Sequence, residues 1–264
     1  MPNKLQSYIN AGLSKIGLYD KKAQKVGLRR IYLDDIYVVS FPKSGNTWVR
    51  FLLANMLVTD EKITMQNINN YVPGIYNFRE ELNKKEGNRI IKSHDPFFDC
   101  YPKTIYIYRD YRDVLVSYFH YLKGHDQFSG TIKEFLKSDL LETPFGTWQQ
   151  HVSLALRQKE AAPSQLLFVG FNELKNDPIE TLKKIAKFCE ITPIKSYQEI
   201  VQQCDFKQLQ ESEQVDGKVF KDSKVNFFRS GESEQWRTTF ESEDLELILS
   251  DEVRELLHQL NLTV

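Results

Sequence analysis

The seven residues Pro42-Lys43-Ser44-Gly45-Asn46-Thr47-Trp48 bring together the residue types that hold an anion. They follow a short β-branched and aromatic run, Ile36–Phe41, and precede a stretch in which Val49, Leu52, Leu53, Met56 and Leu57 recur at helical spacing. At such a strand-to-helix turn the first backbone N–H groups lack intrahelical acceptors, and the helix dipole adds positive potential at the same point. Gly45 permits close approach of the backbone, Lys43 adds a mobile positive charge, and Ser44 and Thr47 add hydroxyl donors. The order is not that of the nucleoside-triphosphate loop G-x-x-x-x-G-K-[ST], because here the lysine precedes the glycine. On residue types alone, an anion site and an ordinary turn with an incidental lysine both stay open.

Two other groups of residues carry chemistry. Histidine accepts a proton near neutral pH, and His94, His120, His125, His151 and His258 compete for such a role. An arginine's planar fork pairs with two phosphate oxygens at once, which suits Arg109 at the end of an apolar run. Arg109 has an alternative in ion pairs with Asp110 or Asp113, and Ser117, eight residues on, is equally readable as a helix-surface hydroxyl.

The elements that would position these groups alternate. Strands are expected at Ile36–Phe41, Arg89–Lys92, Thr104–Arg109 and Gln165–Phe171, and helices from Val49, over Val114 to Tyr121, and over Ile179–Phe188 after Asp177-Pro178. That order predicts one α/β domain with a central parallel sheet flanked by helices, resembling the P-loop NTPase architecture. From about 195 the pattern is helical, interrupted by a polar stretch near 211–235.

The 264 residues suffice for one large core, and 35 basic against 36 acidic residues do not suggest nucleic acid as a partner. Cys100, Cys189 and Cys204 are widely spaced with no C-x-x-C pair, and read as reduced thiols. No secretory h-region and no membrane-length apolar run is visible, so the expected location is cytoplasmic. Residues 1–30 form a basic N-terminal extension, with Leu5, Tyr8, Ile9, Leu13 and Ile16 at roughly helical spacing among lysines and arginines. It reads either as a solvated segment docked on the domain at 31–264 or as an amphipathic helix making peripheral membrane contact.

The string Phe41-Pro-Lys-Ser-Gly-Asn-Thr-Trp48 resembles the 5'-phosphosulfate loop Y-P-K-S-G-T-T-W of the cytosolic-type sulfotransferases, which use 3'-phosphoadenosine 5'-phosphosulfate (PAPS). Three further segments fall in that family's order. Ile91-Lys92-Ser93-His94 resembles its K-[TS]-H catalytic segment, and Arg109 through Ser117 its 3'-phosphate motif. Phe228-Arg229-Ser230-Gly231 with Trp236-Arg237-Thr238-Thr239-Phe240 resembles its R-K-G…W-K-T-T-F signature. The resemblance spans about 36 to 250 and implies sulfuryl transfer from PAPS to an acceptor hydroxyl, less readily an amine, releasing adenosine 3',5'-bisphosphate (PAP). It implies a catalytic set of His94 as base, Lys43, Lys92 and Ser117. It implies a donor site of Lys43, Ser44, Gly45, Asn46, Thr47, Trp48, Arg109, Ser117, Arg229, Ser230 and Gly231. Phe171, Cys204, Phe206 and Phe228 complete that site around the nucleotide, with Trp48 and Phe206 stacking on adenine. Lysines in place of a divalent ion suit a donor less charged than a nucleoside triphosphate, and no metal is expected.

Several positions depart from the family pattern. Ser230 stands where a lysine is usual, with Arg112 or Lys224 as candidate replacements, and Phe171 and Cys204 stand for a tyrosine and a threonine. The family's dimerisation stretch is poorly kept after Trp236, so no oligomeric state follows. The acceptor is a small molecule, a glycan or a lipid-linked sugar on this reading. Tyr71-Val-Pro-Gly-Ile-Tyr76-Asn-Phe78, Tyr118, Tyr121 and Trp148 are candidates for its pocket or for packing.

Overall fold

The computed structural model describes residues 21–216 and 228–263. Its sheet is built from β1 (Ile36–Ser40), β2 (Ile90–Ser93), β3 (Lys103–Tyr108) and β4 (Leu166–Gly170), ordered β2-β1-β3-β4 and parallel throughout. These are the expected strands, shifted by a residue or so at their ends. Between β1 and β2 the chain turns one way, and between β1 and β3 the other. Their C-terminal ends therefore diverge at a switch point, where open parallel sheets bind ligands.

Both sheet faces are buried, which explains the near-continuous apolar strands. Tyr37, Val39, Ile91 and Tyr106 face α4 (Tyr111–Gly124), α6 (Trp148–Ala161) and α13 (Asp251–Gln259). Val38, Ile90, Ile105 and Ile107 face α2 (Asn46–Met56) and α8 (Pro178–Cys189). Asp177 caps α8 by accepting the Glu180 N–H, and Pro178 takes the first helical position, where its missing N–H costs nothing.

The remaining helices are α1 (Lys21–Lys25), α3 (Arg79–Lys84), α5 (Ile132–Leu136), α7 (Phe171–Asn176), α9 (Tyr197–Gln203), α10 (Phe206–Asp216), α11 (Trp236–Thr239) and α12 (Ser242–Ile248). No helix among the described residues is long and apolar enough to cross a membrane. The basic segment's apolar positions Leu5 to Ile16 lie outside the described residues, as does Lys224. Its described end is docked. Ala23, Val26, Leu28 and Ile31 are buried, and Lys25 pairs with Asp99 at 3.1 Å.

Candidate active site

The turn after β1 is formed by two residues in left-handed conformation, Lys43 (φ 69°) and Gly45 (φ 104°). A Cβ on Gly45 would lie 2.8 Å from the Phe171 ring, so both conformation and space require glycine. Beyond it, Asn46 and Thr47 open α2 with N–H groups that precede the helical ladder. Not every side chain of the loop faces outward. Thr47 lines the adjoining cavity, but the Ser44 hydroxyl is sealed inside without a partner. The Asn46 amide turns back to β1, donating to the Val38 carbonyl at 3.1 Å and the Ser40 hydroxyl at 3.3 Å. The Ser44 hydroxyl is thus not the outward donor that the sequence suggests, and the Asn46 amide is spent on β1.

Trp48 is oriented by its indole N–H, which donates to the Cys204 carbonyl at 2.9 Å, and its ring meets Phe171 edge-on. Cys204 itself is fully buried, accepts from Asn55 at 3.3 Å and does not line the cavity. Its expected contact with nucleotide is replaced by a supporting role behind Trp48. Phe206, in contrast, lines the cavity together with Phe171 and Phe228.

His94 stands just past the end of β2, with three of its four polar positions engaged. Its backbone N–H donates to the Tyr76 hydroxyl at 2.7 Å, and its carbonyl accepts from His151 Nε2 at 3.0 Å. Its ring Nδ1 lies 2.7 Å from the Ser40 carbonyl. A carbonyl only accepts, so Nδ1 carries the proton and Nε2 keeps its lone pair. Burial first, then the Lys92 charge, holds the His94 imidazole well below its ordinary value, so the ring is neutral.

Lys92 and Lys43 share this cavity with His94. The Lys92 ammonium lies 5.2 Å from the Tyr76 ring centroid, and that of Lys43 lies 4.4 Å from Tyr121. Burial pushes Lys92 down to about 7, with Arg50 adding to the effect. Burial pushes Lys43 down to about 8, with Arg109 and Arg229 adding to it.

The other end of the cavity is lined by Arg109, Ser117, Arg229, Ser230 and Gly231. The Arg109 guanidinium stacks 4.2 Å from the Phe171 ring and donates to the Glu232 carbonyl at 2.7 Å, with Asp113 at 3.8 Å. Its Nε is buried with no hydrogen-bond partner among the described residues. Asp113 also ties down the loop after Phe228, accepting the N–H of Glu234 at 2.8 Å and of Trp236 at 3.4 Å. Gln210 holds the same loop by donating to the carbonyls of Phe228 and Arg229. Gly231 (φ 63°) lies flat on Phe206, whose ring a Cβ would meet at 2.5 Å.

Residues 33–260 match the model of the sulfotransferase domain. The chain belongs to the sulfotransferase family. Sulfotransferase 1B1 of Mus musculus is 31% identical over 234 residues, covering 78% of this chain and 77% of the relative. Sulfotransferase 1A1 of Canis lupus familiaris is 29% identical over 236 residues, covering 78% of each. A crystal structure of mouse sulfotransferase SULT7A1 complexed with PAP shares the fold. Its TM-score is 0.64 at 24% identity, covering 88% of this chain and 90% of that one. As a sulfotransferase, the protein uses PAPS as donor.

The residues present fit that donor. Lys43, Arg109 and Arg229 crowd together, the lysine losing basicity to both arginines, as expected of a cluster built for bound anions. Gly45 and Gly231 leave two places where a Cβ has no room, and Arg109 Nε is a buried donor awaiting an acceptor. Arg112 does not replace the lysine absent at Ser230. It is buried, clamped by Asp110 and stacked 3.9 Å over Trp236.

The cavity holds about 710 Å³, and part of its wall is unforeseen. Arg50, Asn69, Gln127 and the turn Thr143-Pro144-Phe145 line it beside the expected Tyr76, Phe78, Tyr118 and Tyr121. Phe145 packs on both His94 and Tyr76. The hint for that turn was Pro144 followed closely by Gly146, a loop signal with no chemistry attached. Trp148 is core, buried against Tyr111.

Proposed function

We propose that His94, Lys43 and Lys92 carry sulfuryl transfer to the hydroxyl of a small, ring-bearing acceptor, with Arg109, Ser117 and Arg229 on the donor's 3'-phosphate. The observation that carries this reading is the fixed His94 tautomer, which leaves a neutral Nε2 in one cavity with two lysines. Nε2 takes the acceptor's proton as the acceptor oxygen–sulfur bond forms and the sulfur–oxygen bond to the 5'-phosphate breaks. Lys92 is suited to the sulfuryl oxygens. Lys43, at the loop, is suited to the bridging oxygen that keeps the bonding pair and leaves as PAP. Such transfer is governed by position and charge, which suits a site whose His94 and Arg109 are held by hydrogen bonds from the protein.

Tyr76, Phe78, Tyr118, Tyr121 and Phe145 support a ring-bearing acceptor, since their faces can enclose one while His94 meets its hydroxyl. Burial of Ala23 and Val26 and the Lys25–Asp99 pair support docking of the segment's described end on the domain.

The test is labelled-sulfate transfer from PAPS to a mixed acceptor panel by native protein, Lys43→Ala and His94→Ala. Loss of the base should slow transfer by about 10²–10⁴-fold. PAP affinity in His94→Ala should stay native. Undiminished turnover in His94→Ala would remove it as the base.

A further inference from the structure

Five cationic side chains line the cavity, Lys43, Arg50, Lys92, Arg109 and Arg229, and no Asp or Glu among the described residues lines it. The donor brings about four negative charges, shared between its phosphosulfate and its 3'-phosphate. Four of the cations have partners in that count on the roles proposed above. Arg50 is left over.

Arg50 lies one turn into α2, beyond the phosphate loop, and is only 7% exposed. Its Nε and Nη2 donate to the Val72 carbonyl at 3.0 and 2.7 Å, and Nη2 also donates to Asn69 at 2.8 Å. Nη1 makes no hydrogen bond to the described residues, and Arg50 lines the cavity. Val72 precedes Pro73, whose carbonyl accepts the Lys92 N–H at 2.9 Å. The guanidinium is therefore anchored to the segment that pairs with the strand carrying Lys92.

A buried guanidinium without a counter-charge is unfavourable, and burial lowers this one to about 10. Hydrogen bonds to neutral oxygens leave the charge uncompensated. Its partners Val72 and Asn69 are neutral, as are Asn77 and Tyr76, which line the same cavity.

We propose that the acceptor carries an anionic oxygen group, such as a carboxylate, which Arg50 receives through Nη1 while the acceptor hydroxyl faces His94. The proposal rests on the sulfotransfer reading above and adds the acceptor's charge. Arg50 is a specificity residue here, and its grip on Val72 sets the direction in which Nη1 points.

The test uses hydroxyphenyl carboxylic acids of graded tether length, each paired with its methyl ester. Acid-to-ester ratios of kcat/KM are measured for native protein, Arg50→Gln and Arg50→Lys. Native protein should prefer one acid by about tenfold or more, the range of a charge-assisted bond. Arg50→Gln should bring the ratio near one, and Arg50→Lys should keep part of it. Using a ratio cancels any general loosening of the Val72 loop, and PAP affinity reports whether each variant is folded. Binding of the same pairs to PAP-saturated protein by calorimetry gives a readout that needs no turnover. Esters matching acids at every tether, no acid binding to the PAP complex, or a preference that survives Arg50→Gln would each overturn the proposal. Failure of the sulfotransfer reading would show separately, as no labelled product from PAPS with any acceptor of the panel.

Discussion

The two active-site lysines make the enzyme sensitive to alkali in a way that can be worked out in advance. Lys92 is pushed down to about 7 and Lys43 to about 8, both chiefly by burial. A lowered lysine pKa means that charge is lost as pH rises through that value. On the proposed roles, the donor's oxygens need both charges. With these values the doubly charged fraction is roughly nine-tenths at pH 6 and about one-twentieth at pH 8. The second-order rate constant for PAPS should then fall by about twentyfold between those points and more steeply above pH 8. His94 does not oppose this trend, because its ring is already neutral and titrates only at the acid end.

The profile of kcat should differ. Once the donor is bound, its anionic oxygens favour the charged lysines and raise their pKa, so kcat should hold to higher pH than kcat/KM. The assay is a series from pH 5.5 to 9 at constant ionic strength, with an alcohol acceptor that does not itself titrate. Arginine keeps its charge throughout, so Lys43→Arg with Lys92→Arg should flatten the alkaline limb even at reduced overall rate. A kcat/KM that is level from pH 6 to 8.5, or a decline unchanged in the double variant, would refute the link between these lysines and donor capture.

Arg109→Ala should reduce the preference for PAP over adenosine 5'-monophosphate by about tenfold or more, the worth of a charge-assisted bond, as read by calorimetry. Equal preference in native protein and variant would take Arg109 out of the 3'-phosphate site. With His94 as the proposed base, His151 is placed to position it. Its Nε2 holds the His94 carbonyl at 3.0 Å, its Nδ1 lies 3.0 Å from the Tyr106 hydroxyl, and burial lowers it to about 4, so it stays neutral. His151→Leu should lower kcat about tenfold or more with PAP affinity unchanged, and His151→Gln, which can still reach that carbonyl, should recover much of it. An unaltered kcat in folded His151→Leu would reduce His151 to packing.

Much of this site was legible because the phosphate loop, the Lys92–His94 segment and the Arg109–Ser117 segment are each local. A strand end, a turn and a helix start fix which way several of their side chains point within a few residues. What could not be read was long-range. Cys204 lies 156 residues from the indole it supports, and Tyr76 lies 18 residues before the N–H it accepts. Arg50 was hidden for a different reason. In sequence it is one polar residue in an apolar helix, and only the fold shows that it is buried and turned toward the cavity. Arg112 shows the converse error, since a cation near a phosphate motif is no evidence of a free one when Asp110 sits two residues before it.

Transfer in line demands that base and leaving group be placed relative to one another to within about half an ångström. Here both refer to one residue. The Ser40 carbonyl accepts the His94 Nδ1–H at 2.7 Å, and the Ser40 hydroxyl accepts the Asn46 amide at 3.3 Å. Asn46 in turn opens the helix whose first N–H groups would face the donor on the proposed reading. The end of β1 is thus a common datum for the proton acceptor and the phosphate loop, so a shift in one is carried into the other. That coupling gives the Asn46 side chain a function although it does not point at the ligand. It holds the loop to the strand, and on the proposed reading leaves the binding to the loop's backbone.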